Sequence, residues 1–83
     1  MFLTPMAPST PTDPMLAAAV RRIRLERGET QEDVAYNAAL TVGAFGKIER
    51  GAINPTWTTV RKIAEAFELS LGQLGDAVEH ESG

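Results

Sequence analysis

Eight cationic side chains, Arg21, Arg22, Arg24, Arg27, Lys47, Arg50, Arg61 and Lys62, all fall within residues 21–62, a concentration suited to neutralising phosphate. Five acids share that window (Glu26, Glu29, Glu32, Asp33 and Glu49), leaving it at net +3, and the remaining six acids place −6 outside it. The 83-residue chain is therefore −3 overall, a value that disfavours nucleic acid only until the charges are placed along the sequence. Other chemistries lack the residues they need. With no Cys there is neither a disulfide framework nor a thiolate metal site, and the single His80, near the end, reads as a tail residue. The sequence holds no phosphate-binding loop, no nucleophile elbow and no paired acid–base cluster. No enzymatic activity, cofactor or metal is expected. Nor is a membrane partner, because no stretch approaches the roughly eighteen apolar residues of a span.

The elements that must position these charges are all helical. Prolines 5, 8, 11 and 14 punctuate MFLTPMAPSTPTDP, which carries no Lys or Arg. No secretory signal is expected there, and residues 1–12 should form a disordered tail. Asp13-Pro14 then opens a first helix, with Leu16, Val20 and Ile23 on its inner face and Gly28 at its end. Thr30, whose hydroxyl suits the amide of residue 33, opens a second helix with Val34, Ala35 and Ala38 inside. Leu40-Thr41 is a break, and Thr41 caps a third helix running to about Arg50, with Phe45 and Ile48 inward and Gly51 after it. Thr56 caps a fourth helix, whose apolar stripe is Trp57, Val60, Ile63, Ala64 and Phe67. Trp57 is expected in the core or at its edge. Ser70-Leu71-Gly72-Gln73 is a capping box for a short fifth helix lined by Leu71, Leu74 and Val78, with fraying from about Glu79. The expected fold is a compact all-α five-helix domain over 13–79, with residues 80–83 frayed.

Two short helices joined by a few residues are the frame of a helix-turn-helix. The sequence TQEDVAYNAALTVGAFGKIERG (30–51) resembles the helix-turn-helix of the Xre-type, lambda-repressor/Cro-like regulators, with their T-Q-E-x-[LV]-A opening at Thr30–Ala35 and I-E-R-G close at Ile48–Gly51. Upstream IRLERGETQ and downstream NPTWTTVRKIAEAFELSLGQL resemble the flanking family segments, so the similarity covers roughly residues 16–78. IRLERGETQEDVAY is also similar, more narrowly, to controller proteins of restriction–modification operons.

The resemblance implies roles for particular residues. Gln31 matches a position that contacts the DNA backbone and braces the recognition helix. Thr41 to Lys47 match the groove-entering half of that helix, where Thr41, Val42, Gly43, Gly46 and Lys47 are the candidate DNA-binding residues. Asn54 and Thr56 match further backbone contacts. Arg24 and Glu49 match a partly buried salt bridge joining the first and third helices. Tyr36 falls on the open side of the second helix, Arg21 and Arg22 either stay solvated or flank a phosphate, and Arg61 and Lys62 sit on a solvent face.

Two departures from the family pattern matter. Ala39 stands where the turn usually has Gly, so it either accepts left-handed backbone, at about 1 kcal/mol, or the turn takes another shape. Val42, Gly43 and Gly46 stand where the family places Gln, Arg, Ser, Asn or Lys, leaving Lys47 alone with a side chain suited to base recognition. Three accounts follow: readout through DNA shape and backbone, a third helix that firms up only on DNA, or a surface that meets a protein instead.

The sequence therefore predicts a cytoplasmic, nucleoid-associated transcriptional regulator, a repressor, that binds a palindromic operator in double-stranded DNA as a homodimer. Leu71, Leu74 and Val78 are the expected dimer contacts. The alternative is a protein-interaction module that modulates a regulatory protein partner. Without a sensor domain, activity would follow concentration, dimerisation or that partner.

Overall fold

In the computed structural model, which describes residues 13–81, each helix begins where a short oxygen-bearing side chain takes up its free amides. The Asp13 carboxylate accepts from the Met15 amide at 2.8 Å ahead of α1 (Pro14–Glu26), and Pro14 occupies a position that needs no donor. Thr30 caps α2 (Gln31–Asn37), where the Asp33 amide donates to its hydroxyl at 3.0 Å and the Thr30 amide donates to Asp33 at 2.9 Å. Sequence inspection anticipates only the first half of that capping box. Thr41 and Thr56 cap α3 (Val42–Glu49) and α4 (Trp57–Ala66), and Ser70 with Gln73 closes a second capping box on α5 (Leu71–His80).

The first four helices share one way of stopping. After α1, Glu29 N donates to Arg24 O and Gly28 N to Leu25 O, and the same pair of bonds follows α2, α3 and α4. This is the Schellman motif, which needs one left-handed residue. Gly28 (φ 70°) and Gly51 (φ 76°) supply it without strain, but Ala39 (φ 57°) and Glu68 (φ 61°) supply it after α2 and α4. The turn between α2 and α3 therefore keeps its shape and Ala39 bears the strain. Ala39→Gly is expected to raise stability by about 1 kcal/mol, or 4–8 °C in Tm. Ala39 is exposed, so no packing is lost. A thermal melt with an unchanged or lower midpoint would contradict this.

The core is made where the helices' apolar faces meet. Val20 and Ile23 of α1, Val34 and Ala35 of α2, Phe45 and Ile48 of α3, Ile63 and Ala64 of α4 with Phe67 at its C-terminal end, and Leu74 of α5 form one buried cluster. α2 packs on α3 and α4, while α1 reaches from α3 to α5. Arg27 ties the ends of α1 and α4, donating to Phe67 O at 3.1 Å with its guanidinium 6.0 Å from that ring.

Two expectations need correction. Trp57 is 65% exposed rather than in the core. It is the first residue of α4, and helical side chains lean toward the N-terminus, so it projects past the packed part of the helix. The C-terminal residues 80 and 81 are not frayed: α5 continues to His80, and Glu81 pairs with Arg22, which also bonds Glu26. That link holds the end of α5 on α1. The expected tail 1–12 lies outside the described residues, as do 82–83.

Candidate nucleic-acid interface

One carboxylate organises the helix-turn-helix. Glu49, on the last turn of α3, accepts from Arg24 Nε of α1 at 2.6 Å, Arg24 Nη2 at 3.1 Å and Gln31 Nε2 of α2 at 3.0 Å. Three helices thus converge on a side chain that is 2% exposed, opposite an Arg24 side chain at 11%. The remaining Arg24 donor reaches Glu29 O at 2.9 Å. The hydrogen bonds Arg24 donates to Glu49 raise its pKa above the ordinary value despite an opposing desolvation, so the guanidinium stays charged. Bidentate geometry and a third donor let this pair be buried; its energetic value lies in what breaking it would cost.

The network fixes which face of α3 meets solvent. Thr41, Val42 (45% exposed), Gly43 and Lys47 lie on that face. The Thr41 hydroxyl accepts from the Ala44 amide at 3.0 Å, so its oxygen is engaged in capping while its proton remains to donate. Gly43 has open space where a Cβ would be. Gly46, expected to point outward, is buried instead. A Cβ there would lie 3.1 Å from Arg50 Nη1 and 3.6 Å from Gln31 Oε1, so side chains from the helix end and from α2 cover it. In the structure these side chains cover Gly46, and Arg50, which sequence inspection did not place in the site, lies over it. The i to i+4 spacing of Gly46 and Arg50 is the signal that could have revealed this.

The flanking candidates are exposed to different degrees. Asn54 and Thr56 are both solvent-facing, and the Thr56 hydroxyl accepts from Thr59 N at 3.1 Å. Gln31 is half-buried by its bond to Glu49. At the start of α2 the Thr30 amide holds the Asp33 carboxyl below its usual range. That capping box occupies the Thr30 and Asp33 amides.

Internal pairing reduces the basic footprint. Arg22, Arg24 and Arg27 all bond carboxylates. Among the described residues, Lys47 and Arg50 on α3 have no acidic partner within ion-pair distance. An apolar patch lies around α5. Leu71 and Val78 are half-buried and share a shallow depression with Leu16, Trp57 and Val60, whereas Leu74 is 2% exposed and belongs to the core beneath them. Among the described residues no group of His, Cys, Asp or Glu suits a metal, and no helix is long and apolar enough to cross a membrane.

A helix-turn-helix domain family model matches residues 15–77. The chain is 31% identical over 64 residues to the HTH-type transcriptional regulator DdrOP3 of Deinococcus deserti, covering 77% of this chain and 50% of that protein. The match therefore spans about half the length of that regulator. It is 36% identical over 53 residues to the uncharacterized HTH-type transcriptional regulator y4dJ of Sinorhizobium fredii, covering 64% of this chain and 69% of that protein. Among solved structures, it is similar to the wild-type restriction–modification controller protein C.Esp1396I, with TM-score 0.78 and 30% identity over 83% of this chain and 88% of that one. The same controller protein solved as a tetramer with its natural 35-base-pair operator matches with TM-score 0.78 and 31% identity over 82% of this chain and 90% of that one.

Proposed function

The chain belongs to the helix-turn-helix domain family, among relatives described as transcriptional regulators, and on that premise we propose that it regulates transcription by binding an operator in double-stranded DNA. The observation that carries this reading is Glu49, which locks α1 and α2 onto α3 and so presents Thr41, Val42, Gly43 and Lys47 to solvent as one rigid face. A related controller protein binds its operator as a tetramer, which supports an assembled rather than monomeric binder here. In this reading the N-terminal half of α3 enters the major groove, and Gln31, Asn54 and Thr56 contact the backbone on either side. With Val42 and Gly43 at the groove-facing positions, selectivity comes more from DNA shape and backbone contacts than from base hydrogen bonds.

The two copies meet through α5. Leu71 and Val78 provide its exposed apolar side, Leu74 supports them from the core, and Trp57 adds a large apolar surface beside them. Two-fold pairing sets the α3 helices about 34–36 Å apart, one helical turn of DNA, and makes the operator palindromic. The protein acts as a repressor in the cytoplasm, associated with the nucleoid.

Selection of bound duplexes from random DNA tests the proposal: a palindromic consensus is expected, and no enrichment would overturn it. The apolar Val42–Gly43 surface favours a second reading, docking on another regulatory protein, and absence of any gel shift at low salt would support that one. Lys47→Ala is expected to weaken DNA binding and to lower the slope of log affinity against log salt by about one. An unchanged slope, read by fluorescence anisotropy, would remove Lys47 from the interface.

A further inference from the structure

We propose that Arg50 is a phosphate-contacting residue of the α3 surface and that Gly46 is the seat that places it; this rests on the DNA-binding reading above. Arg50 caps the C-terminal end of α3 and is exposed. Its guanidinium folds back along its own helix, with Nη1 3.1 Å from where a Gly46 Cβ would stand. Gln31 Oε1 lies 3.6 Å from the same point, and the Gln31 amide nitrogen is anchored on Glu49. Glycine is disfavoured inside a helix, and at Gly46 its use has a visible reason: a Cβ there would crowd the guanidinium, which must then shift from this position. A Cβ at Gly43 in the same helix would meet nothing within 4 Å.

The arginine so placed keeps its charge available. Arg22, Arg24 and Arg27 are each bonded to carboxylates, whereas Arg50 has no acidic partner among the described residues. Its planar fork of donors matches phosphate oxygens. Base reading belongs to the N-terminal residues of a recognition helix, and Arg50 stands at the other end, where the backbone of the duplex passes. The contact is therefore electrostatic and independent of sequence, and it offsets a groove-facing surface that has little else to hold DNA.

The test measures binding by fluorescence anisotropy on the selected duplex and on an unrelated one, between about 50 and 200 mM salt. Arg50→Ala is expected to lower the salt slope by about 0.9, so that its affinity penalty shrinks about 3.5-fold across that range, equally on both duplexes. Arg50→Lys is expected to keep the slope. Gly46→Ala is expected to raise the thermal midpoint yet weaken binding, and to have no effect on binding when Arg50 is already alanine. A wild-type slope in Arg50→Ala, or a loss confined to one base-pair position, overturns the phosphate contact while leaving DNA binding intact. A Gly46→Ala penalty that persists without Arg50 overturns the seat. Failure of the wild-type protein to bind any duplex overturns the DNA-binding reading itself, and this inference with it.

Discussion

Glu49→Ala is expected to destabilise the fold by about 3–5 kcal/mol. At about 4–8 °C per kcal/mol for a domain of this size, the melting midpoint should fall by at least about 12 °C. The size of the effect comes from what the substitution strands rather than from the value of the ion pair. Arg24 would keep its charge at 9% exposure, with only the Glu29 carbonyl left to meet it, and Gln31 would lose its acceptor. Glu49→Gln, which retains an acceptor oxygen but loses the charge, should fall between. Replacing both partners with apolar residues of similar volume should recover much of the loss, because the desolvation of two ions disappears with them. A circular-dichroism melt of Glu49→Ala that overlays the wild type would show that the network does not hold α3.

Phe45→Ala is expected to cost a comparable 3–5 kcal/mol, roughly, and to abolish DNA binding before the rest of the fold is lost. α3 is eight residues long and contains Gly43 and Gly46, each worth about 1 kcal/mol against helix relative to alanine. Isolated helices of this length are unstable, so tertiary packing must keep α3 formed. Phe45 is its largest buried side chain, at 0% exposure, with Ile48 one turn on. Ile48→Val should cost only about 0.5–1.5 kcal/mol and leave binding in place. Amide exchange in Phe45→Ala should rise first in 42–49. Uniform loss of protection across all helices would contradict a separate dependence of α3 on this anchor.

What could be read from the sequence follows from the range over which each interaction acts. Helix starts depend on one side chain and an amide two or three residues away, so Asp13, Thr30, Thr41, Thr56 and Ser70 were all legible as caps. Helix ends were legible only where glycine marked them: Gly28 and Gly51 did, whereas Glu68 adopts the same left-handed backbone with nothing in its side chain to announce it. The apolar periodicity of α4 located Ile63, Ala64 and Phe67 correctly in the core but drew Trp57 in with them. A stripe defines a direction around the helix and says nothing about where along the axis packing begins. The site was harder to read because its determinants are tertiary. The burial of Gly46 arises from Arg50 at the helix end and Gln31 on another helix. The pairing of Arg22 with Glu81, beyond its local partner Glu26, spans fifty-nine residues. Composition counted both arginines alike; the fold uses one to close the C-terminal helix and leaves the other facing solvent.

The charge distribution, once paired off in the structure, also explains why binding should be sensitive to salt but modest in slope. Lys47 and Arg50 are the cations α3 can offer, and flanking contacts at Gln31, Asn54 and Thr56 are polar rather than charged. Fewer neutralised phosphates mean fewer released counterions per copy, so pairing of two copies carries a large share of the affinity.

The most direct measurement is a map of backbone amide shifts in the ¹⁵N-labelled protein titrated with the selected duplex at low salt. Perturbations are expected to concentrate at Gln31, Thr41, Val42, Gly43, Lys47, Arg50, Asn54 and Thr56, with the Gly72 and Gly75 amides of α5 unmoved. Perturbations centred on α5 and Trp57 with α3 silent, or none at any duplex concentration, would contradict it.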